Sequence, residues 1–292
     1  MLSPRQIFED NIRPSTLLLK VFRLLEHERP DTEGERVDTL RKLVDAAADE
    51  ELMVIYNEVF LGLIRERADV SRATIRRSAL CNLLRQSIVT ACTALETYLP
   101  VLLQQNLENV IKAKGRQFKL PEDEALESQF APLQFTLSDA LRLLEDPDPL
   151  FVANKVIRSL KIAYLTGKRG IHVTGLLLDI EDPWKQIAGR LHRDMDELQS
   201  TVHATVNRRN DIVHRADRDR KSLDGEAQDI AYAWTTQAVD TIRHVCLCLD
   251  ELVAERMAEL THQATEGETT GTSEKSIEQL VAEMHARKHR DG

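Results

Sequence analysis

Apolar side chains recur at intervals of three and four along almost the whole of this chain, and that period sets the class of fold it can adopt. Glycine supplies only 11 and proline only 9 of its 292 residues, and aromatic residues make up 4%. A sandwich, barrel or propeller needs frequent turn residues and strands dense in β-branched and aromatic side chains. Neither is present, so the expectation is an all-α protein. The 42% of hydrophobic residues is enough to build a core, which excludes disorder for most of the chain. The densest apolar run, Phe60-Leu61-Gly62-Leu63-Ile64, is far too short to cross a bilayer. The first residues, with Arg5, Glu9 and Asp10, lack the apolar core of a secretory signal. A cytoplasmic location is therefore expected.

The pattern divides the chain into four parts. Residues 1–70 read as an N-terminal helical appendage, with helices over 15–27, 34–48 and 49–67. The first of these opens after Pro14 and places Leu18, Val21, Phe22 and Leu25 together. Residues 71–260 read as the main helical domain. It begins with a long helix near 73–106, striped by Ile88, Cys92, Leu95, Leu99 and Leu102 and kinked at Pro100. A charged loop over 112–134 leads to short helices at 137–144, from about 149 to 164, and at 173–178. Gly167-Lys-Arg-Gly170 reads as a turn, and Asp182-Pro183-Trp184 as a helix start with a capping carboxylate. A helix over 195–213, a charged loop over 217–225 and a last helix over 227–259 complete the domain. Residues 261–276 contain no large aliphatic side chain and read as a flexible linker. Residues 277–292 read as a small amphipathic helix through Ile277, Leu280, Val281 and Met284.

One stretch carries chemistry. From Asn207 to Lys221 this acidic chain, of net charge -9, places six cations against three anions. Such a local field draws an anionic substrate. Leu198, Val202, Val206, Arg209 and Val213 share one face, an apolar stripe holding a single arginine. The long helix presents its counterpart: Ile88, Cys92, Glu96, Leu99 and Leu103, with one acid. Charges set against a core need partners, so Glu96 and Arg209 are predicted to pair across two helices. Beside the stripe, His203, Asn207, Asn210 and His214 form a polar line. Imidazole can accept a hydroxyl proton near neutral pH, and guanidinium can hold the charge that builds on a phosphodiester. That chemistry requires no metal and no other cofactor. The bland alternative is a helix end whose cations offset the dipole.

Arg209-Asn210 followed after three residues by His214, within Arg-Arg-Asn-Asp-Ile-Val-His-Arg, resembles the signature of the HEPN superfamily. The stretch from Arg85 to Leu99 is similar to the early helix of that fold with its acid, here Glu96. Asp182-Pro-Trp-Lys is similar to a segment of the bacterial RiboL-PSP-HEPN branch. The resemblance covers roughly residues 72 to 260. It implies an all-α, HEPN-like bundle acting as a homodimer, with both motifs meeting in one cleft. It also implies metal-independent cleavage of RNA by the 2′-hydroxyl. Arg209 and His214 would be catalytic, Asn210 would orient them, and Glu96 would support Arg209. Arg208, Arg215, Asn207 and His203 would contact substrate. A toxin or antiviral role, with an antitoxin or defence-system partner, follows from the same likeness. Two departures are the carboxylate of Asp211 inside the motif and the acidic overall charge, which opposes RNA binding.

Other signals are weaker. Thr166-Gly-Lys-Arg169 lacks the residues of a phosphate-binding loop. His192 and Asp196 have metal-ligand spacing on one helix face, but a third ligand is missing. Cys81, Cys92, Cys246 and Cys248 read as reduced thiols in apolar helices, and Trp184 and Trp234 as core anchors. A reading from another class is a non-catalytic helical module that binds a partner protein.

Overall fold

The computed structural model describes residues 2–26, 77–118, 135–145, 148–159, 165–218 and 227–270. The helices expected over 34–48 and 49–67, and the C-terminal helix over 277–292, lie outside these residues. Eight α-helices occupy the described part: α1 Pro4–Glu26, α2 Arg77–Lys114, α3 Leu137–Glu145, α4 Pro149–Ser159, α5 Gly167–Leu177, α6 Pro183–Leu191, α7 Met195–Arg215 and α8 Tyr232–Thr270. A single 3-10 turn, Gly115–Gln117, follows α2. Among the described residues there is no strand, only one isolated antiparallel bridge between Arg218 and Ala227. No described helix is long and apolar enough to cross a membrane.

Helix α2 organises the rest. Its 38 residues span about 57 Å, and it touches α1, α4, α5, α7 and α8. Leu84, Ile88, Ala91, Cys92, Ala94, Leu95, Tyr98, Leu99, Leu102, Leu103 and Leu107 are all buried, so it is apolar on more than one face. A helix of that pattern belongs at the centre of a bundle. It runs continuously through Pro100 and eight residues beyond the expected end.

Helix α1 begins eleven residues before the expected start and contains Pro14 in its interior. Its buried side chains are Phe8, Ile12, Ser15, Leu19 and Phe22, rather than Leu18 and Val21. Each buried Phe or Leu contributes about 1.5–3 kcal/mol, enough to hold a helix against one proline. Hydrogen bonds flank the interruption: Ser15 Oγ donates to the Ile12 carbonyl at 2.6 Å, and Ser87 Oγ of α2 donates to the Ser15 carbonyl at 2.9 Å. Phe8 meets Tyr98 with ring centroids 5.2 Å apart, and Phe22 stacks on Tyr232 at 5.8 Å. Helix α1, read from sequence with the 1–70 appendage, thus shares one core with α2 and α8.

Three further expectations need correction. Gly167-Lys-Arg-Gly170 is the first turn of α5, not a loop. Its glycines serve close packing: a Cβ on Gly170 would lie 2.8 Å from the Leu165 backbone and 3.2 Å from Leu99. Of these two, Gly167, at φ +62°, uses the left-handed freedom of glycine, and Gly170 does not. Asp182 precedes α6 in left-handed backbone and makes no side-chain cap. Pro183 at the first helical position and buried Trp184, whose Nε1 donates to the Lys168 carbonyl at 2.9 Å, fix that start instead. Finally, α8 continues to Thr270, through the first ten residues of the expected linker. Extending an existing helix adds a bond per residue without a new nucleus, and Glu, Gln and Ala there are compatible with it.

Helix α3 begins in a reciprocal cap, with Thr136 N donating to Asp139 Oδ2 and Asp139 N to Thr136 Oγ1. None of its residues is buried.

Candidate active site

Helix α7 carries the motif, and its limits follow from its ends. Asp194 accepts from the Glu197 amide at 2.8 Å, a true N-cap, with Asp196 and Glu197 in the first turn and His214 and Arg215 in the last. Acids first and cations last match the helix dipole. Leu198, Val202, Thr205 and Val206 are buried. Val213, expected on the same stripe, is 53% exposed, because that side of the last turn lacks cover.

Small side chains let α7 approach α2. Cys92 Sγ lies 3.9 Å from the Thr205 carbonyl. One turn further along both helices come Glu96 and Arg209, and they pair as the two stripes predict, Arg209 Nη2 donating to Glu96 Oε1. Arg85, which precedes Cys92 on α2, meets Asp217, which follows Thr205 beyond the end of α7, so the two helices run in opposite directions and Arg209 reaches back along α2 to Glu96. The paired side chains are 18% and 21% exposed, so the bond is only partly screened by water. Pro100 has no amide hydrogen, so the Glu96 carbonyl lacks its usual helical donor. Burial pushes the Cys92 thiol up to about 12, despite the opposing pull of Arg209, so Cys92 is no nucleophile near neutral pH.

The polar line lies beside this crossing. Asn207 Nδ2 is 3.0 Å from His203 Nε2, Asn210 is half-buried, and His214 is exposed with no hydrogen-bond partner among the described residues. Val206 borders the line, and the start of α5 at Gly167 packs against it. Lys168 and Arg169 there are exposed. Arg215 sits 3.8 Å from Asp211, a loose pair at the helix end.

Arg209 and His214 are not brought together within one chain. Five residues along an α-helix turn the side chain through about 500°, or about 140° of net rotation. Arg209 faces α2, whereas His214 faces solvent.

Arg208, expected to contact substrate, is engaged elsewhere. Its Nη2 donates to Asp217 Oδ2 at 2.8 Å, and its Nε lies 2.6 Å from Asp217 Oδ1 in a close charge contact. It also donates to the Asp229 carbonyl at 2.9 Å. Arg85 of α2 reaches the same carboxylate at 2.6 Å. Sequence reasoning missed this cluster: Asp217 counted only as one charge in a loop. The one available signal was Arg85, a lone cation beside the apolar Leu84 and Ile88. The local positive field is correspondingly weaker than the count of cations implies, since Arg208 and Arg209 each hold a carboxylate.

His192 and Asp196 do not share a helix: His192 ends α6 in left-handed backbone, and Asp196 lies in the first turn of α7. Among the described residues, no group of three or more His, Cys, Asp or Glu side chains is placed to hold a metal ion.

No family model, curated protein or solved structure matches this chain. The fold shown is all-α, and the reading of the site rests on its residues.

Proposed function

We propose that the protein is a metal-independent endoribonuclease of HEPN type, built as a homodimer in the cytoplasm. The observation that carries the reading is Arg209, held by Glu96 at the α2–α7 crossing, with an exposed imidazole on the following turn. A guanidinium fixed by a carboxylate is preorganised to meet charge on a phosphate without reorganising during the reaction.

His214 takes the proton from a ribose 2′-hydroxyl, and the oxygen attacks the adjacent phosphorus. The 5′-oxygen leaves with a proton from a protonated imidazole, which gives a 2′,3′-cyclic phosphate and a 5′-hydroxyl. Arg209 neutralises the non-bridging oxygens, and Asn210 orients the imidazole. Because Arg209 and His214 diverge around α7, the second chain supplies the complementary groups across the dimer. Asn207, His203 and Arg215 contact the RNA backbone. A toxin or defence role, restrained by an antitoxin or system partner, fits such an activity.

The test is cleavage of single-stranded RNA with EDTA present, with the termini identified by mass spectrometry. His214→Ala and Arg209→Ala each abolish cleavage while keeping the melting transition. Cleavage by both variants at the parent rate refutes the assignment.

A second reading is favoured by one observation: Leu137, Leu141 and Leu144 on α3 are 77%, 51% and 80% exposed. Such a stripe suits a helical module that binds a partner protein. Under that reading His214→Ala is silent, and Leu141→Asp abolishes capture of the partner.

A further inference from the structure

The end of α7 is held by a buried charge cluster that the proposed reaction does not use. Asp217 is fully buried although it follows the last helical turn, and both Ala216 and Asp217 adopt left-handed backbone, at φ +50° and +62°. Two such residues in succession persist only where their surroundings impose the conformation. Those surroundings are two guanidinium groups. Arg85 Nε donates to Asp217 Oδ2 at 2.6 Å, and Arg208 Nη2 donates to the same oxygen at 2.8 Å. Both arginines then reach the segment that enters α8: Arg85 Nη2 donates to the Gln228 carbonyl at 2.7 Å, and Arg208 Nη2 to the Asp229 carbonyl at 2.9 Å. The backbone of Asp217 completes the tie. Its amide donates to the Asp211 carbonyl at 3.0 Å, and its carbonyl accepts from the Gln228 amide at 2.8 Å. One carboxylate thus joins α2, the end of α7 and the approach to α8.

We infer that Asp217, clamped between Arg85 and Arg208, is a positioning residue that fixes the last turn of α7 and with it His214. Arg208 belongs to this clamp and not to the substrate. The inference rests on the nuclease reading for what the held imidazole does, and on geometry alone for the holding. The Asp211 carbonyl that receives the Asp217 amide lies in the turn that carries His214. Without the carboxylate, only backbone hydrogen bonds hold the left-handed pair, and that turn frays more readily, as helix ends do. A displacement of about 1 Å at a reacting group lowers a rate by about 100-fold. Loss of the clamp therefore falls on kcat. An Arg208 that touched RNA would behave differently: its loss would raise KM and flatten the salt dependence of binding, because a phosphate contact releases counterions.

The test compares the full-length parent with Asp217→Asn, Arg208→Lys and His214→Ala, using a mixed-sequence single-stranded RNA oligonucleotide. For Asp217→Asn and Arg208→Lys the expected result is a fall in kcat of about tenfold or more, an unchanged KM and an unchanged salt slope. Amide hydrogen exchange over residues 211–218 speeds up in both, while α2 residues 91–103 keep the parent rates. Parent-like kcat in both variants overturns the inference, as does a loss confined to KM with a shallower salt slope. Where Asp217→Asn lacks a cooperative melting transition, Arg208→Lys decides. If the parent does not cleave RNA, or His214→Ala cleaves as the parent does, the nuclease reading has failed by itself. Hydrogen exchange then rules on the clamp: parent rates over 211–218 overturn it, and faster rates sustain it.

Discussion

Helices α2 and α7 are joined by two arginine–carboxylate ties of different character. At the Glu96–Arg209 tie each helix contributes one charge, and both side chains keep about a fifth of their surface. At the Asp217 tie two cations, 11% and 18% exposed, converge on one carboxylate that is fully buried, and the carbonyls of Gln228 and Asp229 and the side-chain oxygens of Asn82 and Gln228 accept from their other nitrogens. The first is a pair that water still reaches. The second is a buried cluster in which each member leaves a stranded charge if another is removed. Partial exposure suits a group that must meet substrate, and full burial suits a group that must hold the chain in place.

The largest effect is expected where burial is complete. Asp217→Ala strands two guanidinium groups, and the loss is about 3–5 kcal/mol, read from urea denaturation. Glu96→Ala removes a charge-assisted hydrogen bond at a partly wet site and is expected to lose about 1.5–3 kcal/mol. An equal loss in the two variants would break the distinction between them. The double variant Glu96→Leu/Arg209→Met removes both charges and is expected to return to within about 1 kcal/mol of the parent, while RNA cleavage stays abolished. Stability and activity would then separate at this tie.

The crossing can also be probed through its thiol. With Cys92 buried and pushed up to about 12, alkylation of the folded protein near pH 8 should label half-buried Cys81 and spare Cys92, as mass spectrometry would show. Labelling of Cys92 at the rate of Cys81 would mean that the crossing is open. The smallest effect belongs to a third tie, between Lys155 of α4 and Asp139 of α3, on a helix with no buried residue. The hydrogen bond from Lys155, followed by those from Thr136, holds the Asp139 carboxyl down at about 2 from an ordinary 3.8. A lowered carboxylate pKa means that the stabilisation is fully present above the ordinary value and is lost as pH falls through the lowered one. The protection factors of the α3 amides, taken relative to intrinsic exchange at each pH, should therefore fall as pH drops from about 4 to about 2, with global unfolding little changed. Titration of Asp139 at its ordinary value would remove this tie from the comparison.

The two ties also differ in how legible they were. Glu96 and Arg209 each stand alone in a regular apolar stripe, so the period that defines the helices also predicts the partners. Asp217 lies past the end of a helix, where periodicity stops. Its burial depends on two left-handed residues and on Arg85, 132 positions away. The same boundary explains other differences. Pro14 signals a helix start locally, but packing of Phe8, Ile12, Leu19 and Phe22 on α2 and α8 outweighs it. Gly170 signals a turn locally, but its role is to let α5 approach Leu99. Val213 matches the stripe of α7 but lies where that side of the helix is left uncovered.

What the amino-acid order determined alone was the helical class, the course of α2 and α7, and the single acid and single base that their stripes offer each other. These follow from the 3.6-residue period, which acts over short stretches of chain. What required the tertiary structure was the allotment of charges: Arg208 to Asp217, Arg209 to Glu96, and His214 to solvent. A charged side chain reads the same in any helix, and only the surface packed against it decides whether it holds the fold or faces water.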